Sequence, residues 1–199
     1  MQVIKLSRHR GAEAVAVRSR AFHHHPFARV FAPEPSERLW LLQAQFSCLV
    51  KYCCAHGAPY TTADEIEGVA LWIPPDAPRI TSEREHEFGF DQLPMIFGRE
   101  AFSRYRLVRE YLNTIHQRQM TEPHWYLPIL GVDPSRQASG VGRALLQPIL
   151  DRAKAEGLPC YLETTQPRNV AFYRKHGFEV LDEGVEPSSG LAYWCFRHA

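Results

Sequence analysis

The run Leu130-Gly131-Val132-Asp133-Pro134-Ser135-Arg136-Gln137-Ala138-Ser139-Gly140-Val141-Gly142-Arg143-Ala144-Leu145-Leu146 reads as an apolar strand, a proline-stopped turn, a glycine-containing loop and the start of a helix. Two near-adjacent glycines at a helix start let the backbone approach a ligand closely. The first N–H groups of the helix have no partner inside it, and they meet there with the positive end of the helix dipole. Such a junction is built to hold an anion, and pyrophosphate is its natural guest. A P-loop would need Gly-Lys-Ser/Thr, whereas Gly142 is followed by Arg143-Ala144. A dinucleotide fingerprint would need a third Gly or Ala where Leu145 stands, and an acidic residue on the next strand.

Downstream lies a second block, Tyr161-Leu162-Glu163-Thr164-Thr165-Gln166-Pro167-Arg168-Asn169-Val170-Ala171-Phe172-Tyr173-Arg174-Lys175-His176-Gly177-Phe178. It reads as a strand and then a short helix, with Asn169 near its cap and Gly177 as a left-handed stop. The pattern Gln137-x-x-Gly140-x-Gly142 after a Val-Asp-Pro turn resembles the acetyl-CoA-binding motif of the GNAT superfamily of N-acetyltransferases, and Asn169-x-x-Phe172-Tyr173-x-x-x-Gly177-Phe178 resembles the downstream motif of the same superfamily. Glu122-Pro123-x-Trp125, Pro148, Leu162-Glu163-Thr164, Pro167-Arg168-Asn169 and Trp194-Cys195 are similar to the puromycin N-acetyltransferase group. The likeness runs from about Glu122 to the C-terminus. Before that only Val69-Ala70-Leu71-Trp72 and a helix-rich layout share it, so the acceptor does not carry over.

The resemblance implies an α/β fold of GNAT type: a mixed, mostly antiparallel central sheet flanked by helices, with splayed fourth and fifth strands. It implies acetyl-CoA as co-substrate, held by Leu130, Gly131, Val132, Gln137, Ala138, Ser139, Gly140, Val141, Gly142, Arg143, Ala144, Asn169, Phe172, Tyr173 and Lys175. Within one domain spanning residues 1–199, residues 1–120 form the acceptor-binding half and residues 121–199 the acetyl-CoA-binding half. Direct transfer to a small-molecule amine, antibiotic-like or aminonucleoside-like, is the expected activity. A protein or peptide N-acetyltransferase and a non-catalytic acyl-CoA-binding sensor are the alternatives. A homodimer paired through the C-terminal strands is compatible with the superfamily.

Composition narrows the class. With 199 residues and 45% hydrophobic content, the chain fits one domain with a continuous core. A net charge of +1 gives no global pull toward nucleic acid or a membrane surface. The N-terminal Met1–Arg8 has no signal-like apolar run and no segment has the length of a membrane span, so a cytoplasmic location is expected. Cys48, Cys53, Cys54, Cys160 and Cys195 are odd in number and lack metal-ligand spacing, which reads as reduced, mostly buried thiols. No metal is expected. The three side chains of His23-His24-His25 fan apart in either regular structure, and they are expected to line a substrate entrance or favour a helix end.

Periodicity predicts a strand at Gln2–Leu6, a helix from Gly11, a break at His25-Pro26 and a helix from Ser36 to Ala55. A hairpin around Asp64-Glu65 should join Tyr60–Thr62 to Gly68–Ile73, and a second long helix should cover Arg99–Gln119. Pro148 falls inside a helix expected to continue to Glu156 with a kink. Pro128 falls inside a strand, which is tolerable only if a bulge and splay leave its missing donor unneeded. The aromatics Phe27, Phe31, Trp40, Tyr60, Trp72, Phe88, Phe90 and Phe172 are expected mostly in the core, with a few walling an acceptor pocket.

Acetyl transfer needs few groups. Tyr173 is the candidate acid for the leaving thiolate, with packing beneath the cofactor as the alternative. Glu163 is the candidate base for the amine, in competition with Glu122, His124 and Glu67. The Val132 N–H is the candidate oxyanion donor. Arg136, Arg143, Arg168, Arg174 and Lys175 flank the motifs, and Arg143 and Lys175 are the better candidates for phosphate contact.

Overall fold

The computed structural model describes residues 1–199. Alternating short strands and helices build one seven-stranded sheet with helices on both faces. The first half contains β1 (Val3–Lys5), α1 (Gly11–Phe22), α2 (Pro26–Phe31), α3 (Pro35–His56), β2 (Ala58–Thr62), β3 (Gly68–Ile73), α4 (Ser82–Phe88) and α5 (Leu93–Gln119). The second contains β4 (Trp125–Val132), α6 (Val141–Glu156), β5 (Cys160–Thr164), α7 (Arg168–Lys175), β6 (Glu179–Glu186) and β7 (Leu191–His198). The strands lie in the order β1-β2-β3-β4-β5-β7-β6, antiparallel throughout except for the parallel pair β4–β5. This is the GNAT fold expected from the motifs.

Prolines and glycines set the boundaries where the sequence places them. Pro26 opens α2 just after α1 ends at Phe22, because proline suits the first helical turn but not the interior. The break in α5 is sharper than periodicity suggests: Gly98, at φ 73 and ψ 165, separates a preceding turn of helix from the long run that follows. Pro148 sits inside α6, and the helix continues past it to Glu156.

β3 shows why the sheet is buried on both faces. Its alternation sends Ala70 and Trp72 into a cluster with Leu145, Leu146 and Ile149 of α6. Val69 and Leu71 enter a cluster with Val17 of α1 and Val50 and Cys53 of α3 on the opposite face. Farther along, Val108, Leu112 and Ile115 of α5 cover Tyr161, Tyr193 and Cys195 of β5 and β7. A continuous apolar strand rather than an alternating one is what two covered faces require. Among the aromatics, Phe31, Trp72 and Phe88 are core residues, Phe27, Tyr60, Phe90 and Phe172 are half-buried, and Trp40 is 45% exposed, contrary to expectation, because it lies on the solvent side of α3. All five cysteines are free thiols.

The decisive irregularity lies in β4. Its register to β3 slips between Leu71↔Ile129 and Ile73↔Tyr126, so β4 carries one extra residue in a bulge that brackets Pro128. On its other side β4 pairs with β5 only at Trp125↔Cys160 and Tyr126↔Tyr161. Beyond that the two parallel strands diverge. Pro128 therefore falls where the ladder is already interrupted, and its missing N–H leaves no acceptor stranded in a regular sheet.

Candidate active site

The splay exposes backbone. The Asp133 N–H bonds to the Glu67 carbonyl on the β3 side at 2.8 Å. Donors alternate along a strand, so the N–H groups of Val132 and Leu130 point the other way, into the gap left by β5. The loop that follows is tied down at several points. Asp133 accepts from the Ser135 N–H at 3.1 Å and from Arg20 of α1 at 2.7 Å, and the Gln137 amide donates to the Val132 carbonyl at 3.2 Å. Arg136 pairs with Glu67 at 2.7 Å. Ala138 (φ 62) and Gly140 (φ 88) both take the left-handed conformation that turns the chain into α6.

No side chain caps α6, and its first internal bond runs from the Ala144 N–H to the Gly140 carbonyl. The donors of Val141, Gly142 and Arg143 are therefore free for a ligand. A Cβ at Gly142 would stand 3.2 Å from the Phe172 ring of α7, so this glycine lets the two sequence motifs close on each other. Together they bound a groove of about 1100 Å³.

Of the residues expected to hold the cofactor, Leu130, Gly131, Val132, Gln137, Ala138, Gly140, Gly142, Arg143, Asn169, Phe172, Tyr173 and Lys175 line this groove. Ser139, Val141 and Ala144 do not. The Ser139 hydroxyl turns back to the Arg136 carbonyl, and Val141 is 1% exposed because its side chain packs in the α6 core, leaving only its backbone N–H for a ligand. Arg136 and Arg168 also line the groove, whereas Arg174 points elsewhere. Asn169 does not cap its helix. It lies one residue inside α7, and its amide donates to the Thr164 hydroxyl at 3.2 Å. Gly177 is the left-handed stop, at φ 82.

Beneath the splay a second, narrow chamber opens from the groove. Phe22, His25, Leu130, Asn169 and Tyr173 line both spaces. The chamber holds about 70 Å³ and is walled by rings of α1, α2 and α3 together with Leu112, Leu127 and Pro128. Glu163 is its sole carboxylate. One oxygen, Oε1, accepts from the Tyr126 hydroxyl at 2.5 Å and lies 3.8 Å from the Arg109 guanidinium. Oε2 is buried and unpartnered. Burial pushes the Glu163 carboxyl above the ordinary glutamate range, against the pull of Arg109 and Tyr126.

Tyr173 is 5% exposed, and burial followed by the Glu163 charge pushes its phenol upward. His25 is pulled down to about 4 by burial and then by the Arg168 charge, so it is neutral near pH 7. The histidine run does not converge: the His23 and His24 rings lie edge to face 4.8 Å apart, while His25 packs on Phe22 at 4.9 Å.

Glu163's competitors lie outside both spaces. Glu122 pairs with Arg197 at 3.0 Å, Glu67 with Arg136, and His124 with His116, their Nε2 atoms 2.7 Å apart. Arg109 and Tyr126 were not singled out from sequence. Arg109 is one of five arginines on α5, with Arg99, Arg104, Arg106 and Arg118, and nothing in its spacing marks it as inward-facing.

With this geometry in view, sequence and structural relatives show what the chain is similar to. The model of the family described as Acetyltransferase (GNAT) family matches residues 101–178, from α5 through the loop and both motifs to Phe178. An uncharacterized N-acetyltransferase of Schizosaccharomyces pombe is 32% identical over 81 residues, which is 38% of this chain and 33% of the relative, so the match spans only a third of that protein's length. A crystal structure described as a histone acetyltransferase and related acetyltransferase from Corynebacterium glutamicum superposes with a TM-score of 0.72 at 26% identity, covering 98% of this chain and 94% of that one. The polyamine N-acetyltransferase of Drosophila melanogaster has a TM-score of 0.64 at 12% identity over 100% of this chain and 99% of its own, a likeness of fold alone. These findings show the fold and a likeness to GNAT acetyltransferases over residues 101–178.

Proposed function

We propose that the chain transfers the acetyl group of acetyl-CoA directly to the primary amine of a small molecule within a ternary complex. The observation that carries this reading is the meeting of a wide groove and a narrow chamber at the β4–β5 splay. Acetyl-CoA supplies an activated thioester carbonyl and a pyrophosphate handle. The free N–H groups at the start of α6 suit the pyrophosphate, with Arg143 and Lys175 at the groove for the remaining phosphate charge. Val132 offers its outward N–H to the developing oxyanion.

Glu163 receives the ammonium and takes its proton, directly or through water. Its raised pKa favours that transfer because desolvation makes the carboxylate a stronger base. Tyr173 stays protonated across the working pH range and donates to the leaving sulfur. Burial makes it a weaker acid, and the same dry surroundings raise the thiol that it protonates. The motif residues favour the puromycin N-acetyltransferase-like group, and five free thiols favour a reducing, cytoplasmic setting.

The test is free-thiol release from acetyl-CoA with a panel of primary amines, including puromycin, polyamines, amino acids and short peptides, against a no-amine blank. Amine-dependent release is expected. Calorimetric acetyl-CoA binding without release for any amine would instead favour a sensor module. Tyr173→Phe should lower kcat about 10²-fold with little change in cofactor affinity, and unchanged turnover would remove its acid role.

A further inference from the structure

Resting on that transferase reading, the geometry points to one kind of acceptor: a compact primary monoamine with an apolar body, discriminated from diamines and polyamines by the charges around the chamber. Three observations converge on this. The first is size. At about 70 Å³ the chamber is smaller than the ~150 Å³ cavity that holds a benzene ring. A short alkyl group fits as the walls stand, and a single ring fits only once wall side chains rotate.

The second is the wall. Phe22 and Phe46 meet edge to face at 5.3 Å, and Phe27 and Phe31 at 5.4 Å. These rings offer contact to an apolar body, and the polar groups beside them, Gln45, Thr164, Thr165 and Asn169, are neutral and offer a second ammonium no opposite charge.

The third is the charge balance. Glu163 is the sole carboxylate in the chamber lining, and its Oε2 has no hydrogen-bond partner, so the lining offers one negative group to pair with one ammonium. Two cations stand close by. Arg109 lines the chamber, and the fully buried Arg18 guanidinium lies over the Phe46 ring at 4.0 Å. One face of that ring is therefore taken for cation–π contact. A second ammonium on the acceptor would enter a space whose lining holds no second carboxylate, against two like charges. A monoamine leaves its uncharged end there instead.

The experiment is a comparison of kcat/KM by thiol release for isobutylamine, benzylamine and phenethylamine against 1,4-diaminobutane, spermidine and agmatine. The monoamines are expected to exceed the diamines and polyamines by about tenfold or more, because the second ammonium meets like charges without a carboxylate of its own. Arg109→Gln should narrow that ratio, and Phe27→Asp, which adds a carboxylate at the wall, should raise diamine turnover relative to monoamine turnover. Equal or better use of the diamines by the wild-type protein would overturn the inference and leave the transferase reading intact. Release with none of the amines despite acetyl-CoA binding would overturn both.

Discussion

Replacing Arg18 by methionine should stabilise the fold, and the magnitude follows from where the guanidinium sits. Arg18 is 0% exposed on α1, all three of its side-chain nitrogens lack a hydrogen-bond partner, and its one favourable contact is with the Phe46 ring. Burial pulls it from 12.5 down to about 9, against a small opposing influence of Cys53. At ~1.36 kcal/mol per pH unit, that gap opposes the folded, charged state by about 5 kcal/mol. The cation–π contact is already included in the native packing, and losing it removes about 2 kcal/mol. Methionine is unbranched, of similar length and apolar, so it can keep the packing against Phe46 and Gly131. A net gain of about 2–3 kcal/mol follows, in line with the general finding that apolar residues replace buried charges without loss.

For a chain of this size the gain corresponds to a Tm higher by about 5–10 °C. The pH dependence has a definite sign. The unfolded chain binds more protons than the folded one between about 9 and 12.5, so wild-type stability rises with pH through that window. The full penalty is present below it, and Arg18→Met lacks this feature. Thermal and urea unfolding at pH 7 measure the effect. A variant less stable by more than about 1 kcal/mol, with an unchanged urea m-value, would refute the reasoning, because it would mean the guanidinium finds partners worth more than its burial costs.

Three further outcomes are expected. The acid limb of kcat/KM should lie above the ordinary glutamate range because burial raises Glu163, and Glu163→Gln should abolish the limb along with most turnover; an unshifted limb in the variant would assign it to another group. Gly140→Ala meets nothing within 4 Å, so it should cost only the left-handed backbone strain of roughly 1–2 kcal/mol. Gly68→Ala should cost more, since its Cβ would stand 2.9 Å from Leu145 and 3.0 Å from the Gly131 carbonyl, and equal Tm losses would contradict this packing. Finally, His116 is pulled down to about 3, by burial and then by His124 and Arg109, so the unfolded chain binds the extra proton as pH falls from 6.5. Stability should decline through that window, and His116→Phe, which keeps the stack on Tyr161, should flatten the decline in pH-resolved urea titrations.

The sequence by itself determined what depends on neighbours along the chain. Gly140 at a helix start, the Asp133-Pro134 turn, Pro26 at a helix opening and Gly177 at a helix stop are local conformational requirements, so the loop before α6 and most element boundaries were legible. Even Pro128 was informative, because a missing donor inside a strand demands a bulge whatever the rest of the fold does. The tertiary structure alone decided what depends on distant segments meeting. Glu163 led Glu122, Glu67 and His124 in sequence only by its place at a strand end, and the packing of α5 on β5 is what sets Glu163 in the chamber beside Arg109 and Tyr126 while the others pair at the periphery. Val141 sits between two motif residues yet turns its side chain into the core, because helical rotation rather than motif membership sets its direction. The chamber is assembled from α1, α2, α3, α5, α7 and two strands, and its size and charge are properties of that assembly that no single stretch of chain encodes.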